Sequence, residues 1–185
     1  WGELWVLREI VAPVKGLCNA VGGWRGPLGT DQDFQLGGTC IEVKTSTAAK
    51  FDKIQISSER QLEVPVNVTL LLVALSLDAR AGHGQSLVEM VRSARCAAAQ
   101  CGCLHTLDDR LESSGYADED ADLYEDTGYA VRSFHPFTID QGFPRLVSGD
   151  LLDGVSEVSY SVSTSFCDQY RITVQQPDQL LEGMA

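Results

Sequence analysis

The chain has 185 residues, a length that suits one domain with a sizeable core. Its formal net charge of −12 excludes a protein that coats nucleic acid through overall positive charge. The longest apolar run, residues 68–77, is too short to cross a bilayer as a helix.

Trp1, Leu4, Trp5, Leu7 and Val11 recur at helical spacing and predict an amphipathic helix over residues 1–11. Residues 16–32 are rich in glycine, carry one proline and read as a long loop. DFQL, at 33–36, and GGTCIEVKTS, at 37–46, predict two strands that turn back on each other at Gly37-Gly38. Residues 53–57 alternate and read as a third strand. VNVTLLLVALSLDA, at 66–79, is a long and mostly apolar run, which predicts a central strand covered on both faces. Residues 84–102 predict a helix with Leu87, Met90, Val91 and Ala94 on one side. A shorter helix follows and ends at Gly115. Residues 129–139 and 155–166 alternate again as strands. This order of helix, strands, helices and strands predicts a single α/β or α+β domain with helices packed on a central mixed sheet.

The acidity is unevenly spread. Residues 1–60 hold seven acids and seven bases, whereas residues 108–126 hold nine acids and one arginine. That stretch reads as a solvated surface loop, with an acidic face for a partner subunit as the alternative. Six cysteines lie mostly in apolar or alternating segments, which suits reduced, buried thiols in a cytoplasmic protein better than a disulfide framework. No basic and apolar leader pattern opens the chain. It begins without Met on a helical pattern, which predicts the C-terminal part of a longer protein.

The strand at 37–46 carries the chemistry. Side chains two apart on a strand share a face, so Glu42, Lys44 and Ser46 point one way, and Ile41, Val43 and Thr45 the other. If Gly37-Gly38 reverses the chain, Asp33 arrives beside Glu42. Two carboxylates brought together beside an ammonium are costly unless a cation sits between them. Mg²⁺ suits such a place, because it binds through one or two carboxylates and keeps room for waters and phosphate oxygens. A neighbouring lysine can then orient an attacking water or offset developing phosphate charge.

An Asp, a turn and then Glu-x-Lys on a strand resembles the PD-(D/E)XK nuclease superfamily, with Asp33, Glu42, Val43 and Lys44 as the matching positions. The resemblance runs along most of the chain. WGELWVL, GGWRGP, IEVKTS, ISSERQL, SLVEMV, ESSGY, FPRL and GVSEVSYSV are similar to a bacterial family whose members accompany restriction-modification or phage-defence genes. It implies a restriction-endonuclease-like core and a Mg²⁺-dependent DNA endonuclease, with Mn²⁺ as a substitute metal. Asp33 and Glu42 would be metal ligands, the Val43 carbonyl a third, and Lys44 the residue that positions the water. Glu3 matches the helical glutamate that many members add to the metal site, and Gln61 a downstream glutamine placed near it in some branches. Gln32 stands where the motif has proline. Asp31 is the alternative motif acid, but Phe34 after Asp33 favours Asp33. The resemblance also implies DNA and other defence proteins as partners, and a homodimer, since many nucleases of this fold act in pairs.

Other readings stay open. Glu42 and Lys44 can be a plain ion pair on an exposed strand. Glu3 can serve only the positive end of its helix, and Gln61 can be structural. A non-catalytic module with the nuclease fold would also explain the acidic stretch. Zinc on Cys96, Cys101, Cys103 and His105 is a third reading, although their spacing matches no common finger.

Overall fold

A computed structural model describes residues 1–182. The first helix, α1, runs as an α-helical turn at Gly2–Val6, a wider π turn at Leu7–Val11 and a last turn at Ala12–Lys15. Ala12 N–H donates to the Leu7 carbonyl, a five-residue step. Pro13 has no N–H to continue the ordinary ladder. Helix α2 follows at Leu17–Gly23, where the sequence predicts a loop. Its glycines oppose helix, but Ala20 and Val21 are fully buried, and that packing outweighs intrinsic propensity.

The strands are β1 (Phe34–Gln35), β2 (Thr39–Ser46), β3 (Lys53–Ile56), β4 (Thr69–Ala81), β5 (Gln85–Ser86), β6 (Thr127–Ile139) and β7 (Tyr160–Ser163). Helices α3 (Leu87–Cys101) and α4 (Leu104–Ser113), followed by short helical turns at Asp118–Asp120 and Asp122–Glu125, separate β5 from β6. Ser86 and Glu89 close a capping box at the start of α3. Five strands form one mixed sheet in the order β1-β2-β4-β6-β5. The β2–β4 pair is parallel and the others antiparallel.

The predicted third strand departs from expectation. β3 does not join this sheet but pairs with β7 in a separate two-stranded ribbon. β7 is also shorter than the predicted strand at 155–166, which turns helical at Thr164–Cys167.

β4 is the central strand, as its apolar run predicts, and its alternation serves two cores. Leu71, Val73, Leu75 and Leu77 pack with α1, α2, α3 and α4. Leu70, Leu72 and Ala74 pack on the other face with Ile54, Ile56, Phe137 and Val162, under the β3–β7 ribbon. Because both faces are covered, a polar side chain without a partner is costly there, and β4 carries one at Ser76, whose buried hydroxyl has no hydrogen-bond partner. No helix among the described residues is long and apolar enough to cross a membrane.

Candidate functional site

The site lies at the outer edge of β2. β1 is so short that it pairs only with Cys40 and Ile41. Beyond them no described strand takes the edge, and the Val43 N–H needs another acceptor. Asp33 supplies it: its Oδ2 accepts from Val43 N at 2.7 Å. The chain is held there by its own backbone, since the Asp33 carbonyl accepts from Arg25 N at 2.7 Å and Gly26 N at 3.0 Å. The other candidate acid, Asp31, is exposed and pairs with Arg60 at 3.4 Å. Gln32, in the proline position of the motif, is buried and donates to the Arg60 carbonyl at 3.2 Å.

Glu42 and Lys44 share a face, as strand geometry requires, and form an ion pair of 2.7 Å. This is not the exposed surface pair of the simpler reading, because Glu42 is only 1% exposed. Lys44 Nζ also donates to Gln61 Oε1 at 2.8 Å. That same oxygen accepts from Ser57 N at 2.9 Å, so Gln61 fastens the ammonium to the backbone after β3. Lys44 satisfies one oxygen of Glu42; the other, Oε2, is buried without any hydrogen-bond partner.

Glu3 reaches the same region from α1. Its Oε2 accepts from the Trp24 indole N–H at 2.7 Å. Gly26 lies between the two acids: a Cβ there would stand 2.6 Å from Asp33 Oδ1 and 2.9 Å from Glu3 Oε2. Only glycine leaves that space open. Trp24 and Gly26 belong to the GGWRGP stretch, whose roles the sequence did not disclose; the tryptophan framed by glycines was the available signal.

The electrostatics follow from this crowding. Burial, and then the neighbouring Glu3, push Asp33 up to about 7, against smaller opposing effects of the Val43 N–H and Lys44. Burial, and then the neighbouring Asp33, push Glu42 up to about 8, with Lys44 working in the opposite direction. Three carboxyls therefore meet beside one ammonium, and desolvation makes the negative charge of Asp33 and Glu42 costly.

Among the described residues, no three His, Cys, Asp or Glu side chains stand close enough to hold an ion by themselves. A hard divalent cation that takes two carboxylates and fills its remaining positions with water fits this donor set. The unpartnered Glu42 Oε2 and the open space at Gly26 are the observations in its favour. The cysteine–histidine group is dispersed. Cys96 accepts from Gln100 and His105 pairs with Asp109 at 3.0 Å.

The mixed sheet, its flanking helices and the Asp…Glu-x-Lys edge define an α/β protein of the restriction-endonuclease-like fold. The family model described as "Putative PD-(D/E)XK family member, (DUF4420)" matches residues 1–165, and the chain belongs to that family. No curated protein and no solved structure matches the chain significantly.

Proposed function

We propose that this domain is a divalent-metal-dependent DNA endonuclease, with Asp33 and Glu42 as the metal-binding carboxylates. The observation that carries the reading is the buried Glu42, with one oxygen on Lys44 and the other on nothing. Bound Mg²⁺ would supply Lewis acidity toward a phosphodiester and lower the pKa of a coordinated water. Asp33, fixed by the Val43 N–H, would present its second oxygen to that cation. Glu3, oriented by Trp24, would assist through the same space, and the Val43 carbonyl is the further ligand the motif implies.

Lys44 holds its ammonium beside the acids and is kept there by Gln61. In that place it would position the attacking water and offset charge that develops on the phosphate. A pocket of about 110 Å³ adjoins it, lined in part by Lys44, Ser46, Lys53 and Gln55, with cations and donors suited to a backbone phosphate. Mn²⁺ would substitute for Mg²⁺ on these oxygen ligands, and a homodimer would allow both strands to be cut. A role beside other restriction or phage-defence proteins belongs to the same proposal.

One feature supports a second reading, a non-catalytic module that binds another protein. Tyr116 and Tyr124 of the acidic stretch help line a 230 Å³ cavity that also touches Glu3 and Trp24. Plasmid nicking with Mg²⁺ separates the two. Wild-type protein that cleaves, with Glu42→Gln and Lys44→Ala inactive yet folded, supports the nuclease. Equal cleavage by the variants removes these residues from the chemistry, and no cleavage by any of them favours the module.

A further inference from the structure

The cavity that adjoins the acidic site is aromatic. It holds about 230 Å³, and Trp1, Trp24, Tyr116 and Tyr124 line it together with leucines of α1, α3 and α4. Among the described residues, no lysine or arginine lines it and Glu3 is its one carboxylate. Several donors in its wall are already engaged. Trp1 gives its indole N–H to the Gln85 carbonyl at 2.9 Å, and Ser114 gives its hydroxyl to the Leu111 carbonyl at 2.7 Å. Trp24 donates to Glu3 Oε2, the oxygen on the side of Gly26 and Asp33. The other Glu3 oxygen remains for an occupant. The tyrosines are held in place as well. Arg95 lies 5.9 Å from the Tyr116 ring centroid and is itself fixed by Asp108 and Asp118. The Tyr116 and Tyr124 rings stand 6.2 Å apart.

We propose that this cavity receives one nucleobase of the strand being cut, unpaired or extruded from its duplex, and favours a base with an exocyclic amino group. The inference rests on the nuclease reading above. Charge excludes a phosphate from the cavity, since the wall offers a carboxylate and no cation. A base is uncharged, and aromatic side chains stack on its face whatever its identity. An ionised carboxylate is an acceptor only, so Glu3 selects for a donor. Cytosine, adenine and guanine carry an amino group on the edge they present, and thymine does not.

Size and place agree with this occupant. The volume is below the roughly 300 Å³ at which pockets for drug-sized ligands begin, which suits one base rather than a pair. A base in a duplex must therefore leave its stack to enter. Glu3 and Trp24 belong both to the cavity wall and to the acid cluster, so the base would lie next to the phosphate at Asp33 and Glu42. Asp118, Glu119, Asp120 and Asp122 are exposed in the chain between the two tyrosines and repel phosphate. The sugar–phosphate backbone is thereby confined to the Asp33 side while its base reaches inward.

The test measures binding by fluorescence anisotropy, with Ca²⁺ replacing Mg²⁺ as a hard cation for the same oxygens. The labelled probes are a short oligodeoxycytidine, an oligothymidine and an abasic strand, all of one length. Oligodeoxycytidine should bind about 10-fold more tightly than the abasic strand, the scale of one base stacked on aromatic rings, with oligothymidine between them. Tyr124→Leu, and separately Tyr116→Leu, should remove most of that advantage and leave the abasic strand unaffected. Equal affinity for base-bearing and abasic strands, or oligothymidine bound as tightly as oligodeoxycytidine, would overturn the proposal. So would an equal loss for every strand in both tyrosine variants, which marks a structural role, or binding of no strand at all. Plasmid nicking with Mg²⁺ keeps the two readings apart. Nicking without base-dependent binding removes this inference alone, and base-dependent binding without nicking removes the nuclease chemistry but keeps the base site.

Discussion

The carboxylates at the edge of β2 and those of residues 108–126 are the same chemical groups under opposite conditions. In the acidic stretch the side chains are mostly exposed, and the few ordered contacts are favourable ones. Arg95 spans Asp108 and Asp118 at 2.7 Å each, and its hydrogen bond holds Asp118 below the usual carboxylate range. At β2 only three acids meet, yet burial raises Asp33 and Glu42 far above that range. The number of acids is thus a poor guide to electrostatic cost. Nine solvated carboxylates account for much of the net charge and disturb little, whereas two buried ones constrain the fold.

The largest expected separation between the two regions is in cleavage. Lys44→Ala should slow plasmid nicking on the order of 10³-fold, the scale of losing one group that stabilises transition-state charge. Asp120→Asn, in the acidic stretch, should leave the rate unchanged. A matching loss in both variants would remove the distinction.

Stability against pH comes next. The folded values of about 7 for Asp33 and about 8 for Glu42 stand above the ordinary values of 3.8 and 4.5. Between those limits the folded chain holds protons that the unfolded chain has released. The contribution is therefore fully present below the unfolded values and is lost as pH rises through the folded ones. Urea unfolding at several pH values from 4 to 9 should show a decline of roughly a few kcal/mol. Asp33→Asn with Glu42→Gln should flatten it, and Mn²⁺ should restore stability at the alkaline end of the wild-type curve. A wild-type curve that rises across this window would contradict the raised values.

Gly26→Ala probes the space between the acids. The added methyl would press on Asp33 Oδ1 and Glu3 Oε2, so Mn²⁺ affinity measured by calorimetry should fall on the order of 10-fold. Unaltered affinity would place the cation elsewhere. Trp24→Phe keeps most of the packing but removes the indole donor to Glu3. It should cost about 1–2 kcal/mol in urea unfolding, the scale of a part-buried hydrogen bond to a carboxylate. The smallest effect belongs to the acidic stretch, where Glu119→Gln should shift Tm by no more than about 1 °C. A larger shift there would reveal a structural role that its exposure does not suggest.

Much of this site was legible in the chain. Period-two alternation places Glu42 and Lys44 on one face, and Gly37-Gly38 brings Asp33 back toward them. The apolar run of β4 marks the central strand without any knowledge of its neighbours. Helix α2 was not legible, because its glycines mask the burial of Ala20 and Val21 that stabilises it. Nor was the exposure of Cys96, which lies on the amphipathic helix predicted over residues 84–102.

What the sequence determined by itself was local: periodicity, turns and the spacing of the Asp…Glu-x-Lys motif, all expressed within a few residues. What only the tertiary structure decided was which of those groups lose water and what they meet when they do. The partnership of β3 with β7 joins segments a hundred residues apart, and the Trp24–Glu3 bond joins a loop to a helix. The Val43 N–H turns to Asp33 because β1 ends too soon to take it. The physical reason is that desolvation and hydrogen-bond satisfaction depend on every element that surrounds a group, and those elements are distant in the chain.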